Sequence, residues 1–193
     1  MTLAERVVAL HRALAAASLE HAFGGALALA WCTQQARGTI DIDLNVFVPP
    51  ESAEVVLAAL PPGARWNEAD RHCLERDGQA RTWWDTTPVD IFLSTTGFHD
   101  EVRDRTRLEP FLGVDVPFLS CLDLAVFKAF FDRTKDWADL EAMNEAGSLD
   151  VDLVLGILVR YLGGDDHRVA RLRALVDEPG PSGASRRGDA RHP

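Results

Sequence analysis

The chain has 193 residues, of which 47% are hydrophobic and 26% charged. Asp and Glu number 30 against 20 Lys and Arg, for a formal net charge of -10. This is the balance of a globular protein holding one ordinary domain, or a core domain with a helical annex. It excludes a histone-like, broadly basic nucleic-acid wrapper but leaves room for an enzyme that grips nucleic acid through a local patch. Cys32, Cys73 and Cys121 lie far apart, with no CxxC or Cys/His spacing. Neither a disulfide framework nor a structural zinc site is expected, and a reducing, cytoplasmic compartment fits. Glu5, Arg6 and Arg12 interrupt the N-terminal apolar residues, so no signal peptide is expected there. The apolar stretches are too short to span a membrane.

In chain order, residues 3–17 have helical spacing, with Leu3, Val7, Leu10 and Leu14 on one face. A short run at 21–23 leads into Gly24-Gly25, and the Ala/Leu-rich segment 26–35 reads as a helix broken by Gly38. Residues 39–48 alternate: Ile40, Ile42, Leu44 and Val46 on one face, Asp41, Asp43 and Asn45 on the other. This predicts a half-buried strand ended by Pro49-Pro50, with Ser52 capping a short helix to residue 60. Residues 71–74 and 80–84 flank Asp77-Gly78, which reads as a hairpin turn. A strand at 89–93 starts after Pro88, a short helix is expected at 99–106, and 110–117 read as irregular. Ser120 and Asp123 have capping-box spacing ahead of helices at 122–131, 135–146, 151–162 and 166–176. Residues 178–193 have almost no apolar content and read as a disordered tail. The expected organisation is a mixed α/β half at 1–117, a helical half at 118–177, and the tail at 178–193.

Chemistry concentrates in HAFGGALALAWCTQQARGTIDIDLNVFV. Asp41 and Asp43 are two apart on a strand, so their carboxylates share a face. Such a pair repels unless a cation lies between, and hard oxygen donors suit Mg²⁺ shared with substrate phosphates. Gly24 and Gly25 open a helix, where backbone N–H groups can approach a triphosphate. Asp90, in TPVDIFLS, joins the cluster if its strand lies beside the first. An isolated Asp-x-Asp or Gly-Gly is usually a solvated face or a plain turn; their conjunction in this order is more specific. Lys128 sits among Ala125, Val126, Phe127, Ala129 and Phe130, so its ammonium either snorkels or meets an anion. Trp83-Trp84 are read as packing residues rather than base-stacking ones. The histidines show no metal spacing, and Arg168, Arg171, Arg173, Arg186, Arg187 and Arg191 read as a solvated face and tail.

GG-x-A-L followed by R-x-T-x-D-I-D-L resembles motif one of the nucleotidyltransferase superfamily with the DNA polymerase β-like fold. LSCLDLAVFKAFFDRTKDWADLEAM resembles the Lys/Lys-Asp segment of AbiEii-type nucleotidyltransferase toxins, which include the MenT toxins. The resemblance runs over most of 20–145. It implies an α+β fold: a small mixed sheet with flanking helices, then a helical C-terminal region. It implies Asp41 and Asp43 as metal ligands, with Asp90 as the third acidic position. Gly24, Gly25, Arg37, Thr39, Lys128 and Lys135 would line the nucleotide site, with Asp41, Asp43, Lys128 and Asp136 as the catalytic set. Gly25 stands where the superfamily commonly has Ser, which removes one phosphate contact. The resemblance implies Mg²⁺, a nucleoside triphosphate substrate, a tRNA 3′ end as acceptor, and a toxin restrained by a partner antitoxin. The alternatives are a nucleotidyltransferase acting on a small molecule or a protein, or a catalytically silent binding partner.

Overall fold

The computed structural model describes residues 1–36 and 38–177. Arg37 and the expected tail at 178–193 lie outside the described residues. Helix α1 (Leu3–Ala16) starts with a capping box: Glu5 N–H donates to Thr2 Oγ1 at 3.2 Å, and Thr2 N–H to Glu5 Oε2 at 2.7 Å. Its apolar stripe of Val7, Leu10 and Leu14 is fully buried. Strand β1 (His21–Phe23) pairs antiparallel with β2 (Ile42–Val46), Phe23 opposite Leu44. Between them lies α2 (Gly25–Thr33), which ends at left-handed Gln34.

The strand expected from residue 39 begins only at Ile42. Pairing with both neighbours stops at or before Ile42, and Ile40, ahead of the ladder, is 72% exposed. The alternation within β2 holds: Ile42, Leu44 and Val46 are buried in the core, and Asp43 and Asn45 take the opposite face. A 3₁₀ turn at Pro50–Ser52 runs straight into α3 (Ala53–Ala58). Ser52 is therefore not extended, and its side chain makes no capping bond, contrary to the expectation.

The hairpin expected at Asp77-Gly78 is instead the end of a helix. After β3 (Ala64–Arg65), α4 (Glu68–Asp77) is capped by Asn67, braced by Arg71 against Glu68 and Glu75, and closed by Gly78 at φ +67°. Gly at that left-handed position terminates helices as readily as it makes hairpins. The true hairpin joins β4 (Gln79–Trp84) to β5 (Thr87–Leu93) through Asp85-Thr86, with Asp85 at φ +53°. Helix α5 (Phe98–Arg103) follows. The segment 110–117, expected to be irregular, forms a second hairpin of β6 (Arg107–Phe111) and β7 (Val114–Phe118). Its two-residue turn has Leu112 and Gly113 at φ +49° and +74°. Pro110 is tolerated because β6 is an edge strand.

The sheet order is β3-β4-β5-β2-β1-β7-β6, with β2 parallel to β5 and β1 parallel to β7. Four helices complete the described chain: α6 (Cys121–Phe131), α7 (Thr134–Glu145), α8 (Val151–Leu162) and α9 (His167–Asp177). Ser120 caps α6 as its spacing predicts, Asp123 N–H donating to its Oγ at 3.1 Å. This is the expected α+β architecture of a mixed sheet with flanking helices. One cross-link departs from expectation: Cys32 of α2 and Cys121 of α6 form a disulfide, their Cα atoms 5.6 Å apart. The two cysteines are 89 residues apart in sequence, so no spacing rule reveals the pairing, and the packing of α2 on α6 creates it. No helix among the described residues is long and apolar enough to cross a membrane.

Candidate active site

The parallel register of β2 and β5 sets Asp43 directly beside Asp90 on the sheet face opposite the Val89–Ile91–Leu93 core row. Asp41 lies just ahead of β2, its N–H donating to Thr39 Oγ1 at 3.2 Å. The strap Gly24-Gly25 crosses Asp43: Gly24 N–H donates to the Asp43 carbonyl at 2.9 Å. Gly25 has φ +54°, and a Cβ there would lie 1.7 Å from Asp43 Oδ2. Only glycine fits, which places the first turn of α2 against the carboxylate.

Burial raises the Asp43 carboxyl above the usual carboxylate range, and the negative charge of Asp90 adds to the effect. Asp90 is held by Arg81, the residue opposite it on β4: Nε and Nη2 donate to the two carboxylate oxygens at 2.7 Å each. Arg81 also stands 3.6 Å from Asp41. These bonds push the Arg81 guanidinium further into its charged form.

Lys128 does not snorkel. It is 6% exposed, bound to Asp139 at 2.6 Å and to Asp136 at 3.7 Å. Asp136 also accepts from Arg133 Nε at 2.6 Å. Lys128 therefore meets anions as one of the two expected alternatives requires, and those anions are protein carboxylates. Gly25, Thr39, Asp41, Asp43, Asp90, Lys128, Lys135 and Asp136 all line one cavity of about 280 Å³, and Gly24 lies behind it against Leu119 and Asn45. Arg37, expected at the nucleotide site, is outside the described residues.

Arg81 and Arg133 belong to this cavity and were not singled out by the sequence. The sequence signal for Arg81 is hairpin symmetry about Asp85-Thr86, which the stronger turn signal of Asp77-Gly78 masks. Trp84 is core, whereas Trp83 is 45% exposed. Of the α9 arginines, Arg168 donates to the Phe130 carbonyl at 3.1 Å and Arg171 stacks on Trp137, whereas Arg173 is exposed.

Among the described residues, no three His, Cys, Asp or Glu side chains converge tightly enough to hold a metal ion alone. The donor chemistry nevertheless suits Mg²⁺, which binds through one or two carboxylates and fills its shell with water and phosphate oxygens. The Asp43 carboxylate takes the space that a side chain at position 25 would need, so it lies directly against the backbone at the start of α2.

No family model matches the chain. No curated protein matches it either. Among solved structures it is similar to the antibiotic-resistance factor ANT(2'')-Ia in solution, at 17% identity over 90% of each chain and a TM-score of 0.54. It is also similar to the crystal structure of ANT(2'')-Ia in complex with adenylyl-2''-tobramycin, at 16% identity over 90% of this chain and 98% of that one, with a TM-score of 0.55. A third is an antigenic nucleotidyltransferase-like protein from Paracoccidioides brasiliensis, at 13% identity over 86% of this chain and 93% of that one, with a TM-score of 0.52. Over nearly its whole described length, the chain has the fold of these nucleotidyltransferase structures.

Proposed function

We propose that this chain is a nucleotidyltransferase that uses a nucleoside triphosphate and Mg²⁺. The observation that carries the reading is the Asp43–Asp90 pair on adjacent parallel strands, with Asp41 beside it and a glycine strap that admits no side chain. Asp41 and Asp43 would hold Mg²⁺, which supplies charge neutralisation to the phosphates when bound. The backbone at Gly24-Gly25 and the ammonium of Lys135 would receive the triphosphate. Lys128, already shared between Asp136 and Asp139, positions this floor and offsets charge growing on the leaving group. An acceptor hydroxyl oxygen forms a bond to the α-phosphorus while the bond to the α–β bridging oxygen breaks. Pyrophosphate leaves, and Asp90 takes the hydroxyl proton.

For the acceptor, the resemblance of residues 20–145 to AbiEii/MenT-type toxins favours a tRNA 3′ end. On that reading the protein is a toxin blocking translation, restrained by an antitoxin, and works in the cytoplasm. A second reading has a specific support: the similar structure that holds adenylyl-2''-tobramycin favours a small-molecule hydroxyl. Both predict transfer of an α-labelled nucleotide in the presence of Mg²⁺. Incubation with purified tRNA, with hydroxylated small molecules and with cell protein separates them by the fraction that takes up label. Asp41→Ala and Asp43→Ala should abolish uptake while the thermal transition persists. Label retained in both variants would defeat the carboxylate assignment.

A further inference from the structure

Next to the acidic cavity lies a second one of about 310 Å³ with a different lining. The two share Phe92, and Phe131 separates the second from the groove that holds Arg81 and Asp90. Phe92 follows Asp90 by two residues on β5, so both side chains take the same sheet face. The Phe92 and Phe131 rings meet at 5.8 Å, and Phe131 is 42% exposed. Deeper in, Phe98 and Tyr161 meet edge to face at 5.7 Å. His99, 8% exposed, is a buried polar side chain of this wall. Its Nδ1 lies 3.2 Å from Thr96 Oγ1 and 3.3 Å from the Thr96 carbonyl. Nε2 makes no hydrogen bond to a described residue, so the ring offers that nitrogen to a ligand, as donor or acceptor according to its tautomer. Burial holds the ring neutral by lowering its pKa.

The cavity is therefore walled mainly by aromatic rings, with Gln79, Thr95, Thr96 and Asp77 at its polar margin and one unpaired ring nitrogen of His99. A polycation finds no carboxylate in that wall other than rim Asp77, and a phosphate finds no cation. A planar heteroaromatic ring with hydrogen-bonding groups on its edge matches on both counts.

We propose that this cavity is a nucleobase subsite of the transfer site. The inference rests on the nucleotidyl-transfer reading and adds to it where the base lies. The base comes either from the donor triphosphate, whose phosphates occupy the neighbouring cavity, or from the terminal residue of an RNA acceptor.

Thr96 is an exposed rim residue, so Thr96→Trp fills the mouth without entering the core. His99→Phe keeps an aromatic ring and removes its hydrogen-bonding nitrogens. Affinities are measured by calorimetry with Mg²⁺ for inorganic tripolyphosphate, for non-hydrolysable analogues of the four ribonucleoside triphosphates, and for a short single-stranded RNA with a free 3′ hydroxyl. Wild type should bind at least one triphosphate analogue, or the RNA, about 10-fold or more tighter than tripolyphosphate. Both variants should erase that advantage, leave tripolyphosphate affinity unchanged and keep the wild-type melting temperature. Loss confined to the triphosphate analogues assigns the donor base; loss confined to RNA assigns the acceptor base. If both variants bind every probe as wild type does, or if wild type gains nothing from a base, the subsite is overturned while nucleotidyl transfer stands. If wild type binds neither tripolyphosphate nor any analogue, the transfer reading itself falls, and this inference with it.

Discussion

A methyl group at position 25 would lie 1.7 Å from Asp43 Oδ2, on a backbone at φ +54°. Gly25→Ala must therefore displace the carboxylate or the first turn of α2. We predict a loss of roughly 3 kcal/mol, a melting temperature lower by about 6–12 °C, and no measurable transfer. A variant with wild-type stability and activity would contradict the strap. Asp43→Asn is nearly isosteric and removes a charge that the buried site disfavours, so it should melt no lower than wild type. Its transfer rate should fall by roughly 1,000-fold, because the lost charge is the one that would face the cation. Arg81 and Asp90 form a bidentate pair at the half-exposed rim, so a double-mutant cycle of Arg81→Met with Asp90→Asn should give a coupling of about 1 kcal/mol. A coupling near zero would mean the pair contributes orientation alone.

At the level of elements, α2 carries the glycine strap and α6 carries Lys128, and the Cys32–Cys121 disulfide ties them together. It closes a loop of 89 residues, and Cys32→Ser with Cys121→Ser should cost about 2–4 kcal/mol in urea unfolding. An unchanged unfolding midpoint would show that packing alone holds the helices. The elements that the sequence displayed are those with strong local signals: the alternation of β2, the Ser120 cap and the apolar stripe of α1. The elements it hid depend on tertiary context. Asp77-Gly78 serves a helix end as well as a hairpin, and only Asn67 and the Arg71 ion pairs decide between them. The β6–β7 hairpin was hidden by Pro110, which the edge strand β6 accommodates, and by Pro117, one residue ahead of the pairing of β7 with β1 at Phe118. Most of the candidate site was legible because motif spacing encodes the strap and both strand carboxylates. Arg81 was not, since its role depends on the β4–β5 register. Lys128's partner Asp139 lies 11 residues on, across a helix junction.

For the molecule as a whole, acid should act through the interior as well as the site. Burial lowers His21 to about 4, where it donates from Nδ1 to the Leu19 carbonyl and faces His11 through Nε2. The unfolded chain takes up this proton near pH 6.5 and the folded one only near 4. Stability is therefore full above about 6.5 and falls as pH drops through that window, by roughly 3 kcal/mol in total. Urea unfolding between pH 7 and 4 should show this slope in wild type and a flatter one in His21→Gln; equal slopes would exclude the histidine. The net charge of -10 gives the surface no general attraction for RNA, so an RNA acceptor would have to be held locally, near Lys135 and Arg133. The most direct measurement for the whole account is a crystal structure with Mn²⁺, in place of Mg²⁺, and a non-hydrolysable triphosphate. The account predicts an anomalous peak within bonding distance of Asp43 and Asp41, with phosphate oxygens completing the metal shell against Gly24-Gly25. Phosphates bound elsewhere, with both carboxylates bare of metal, would contradict it.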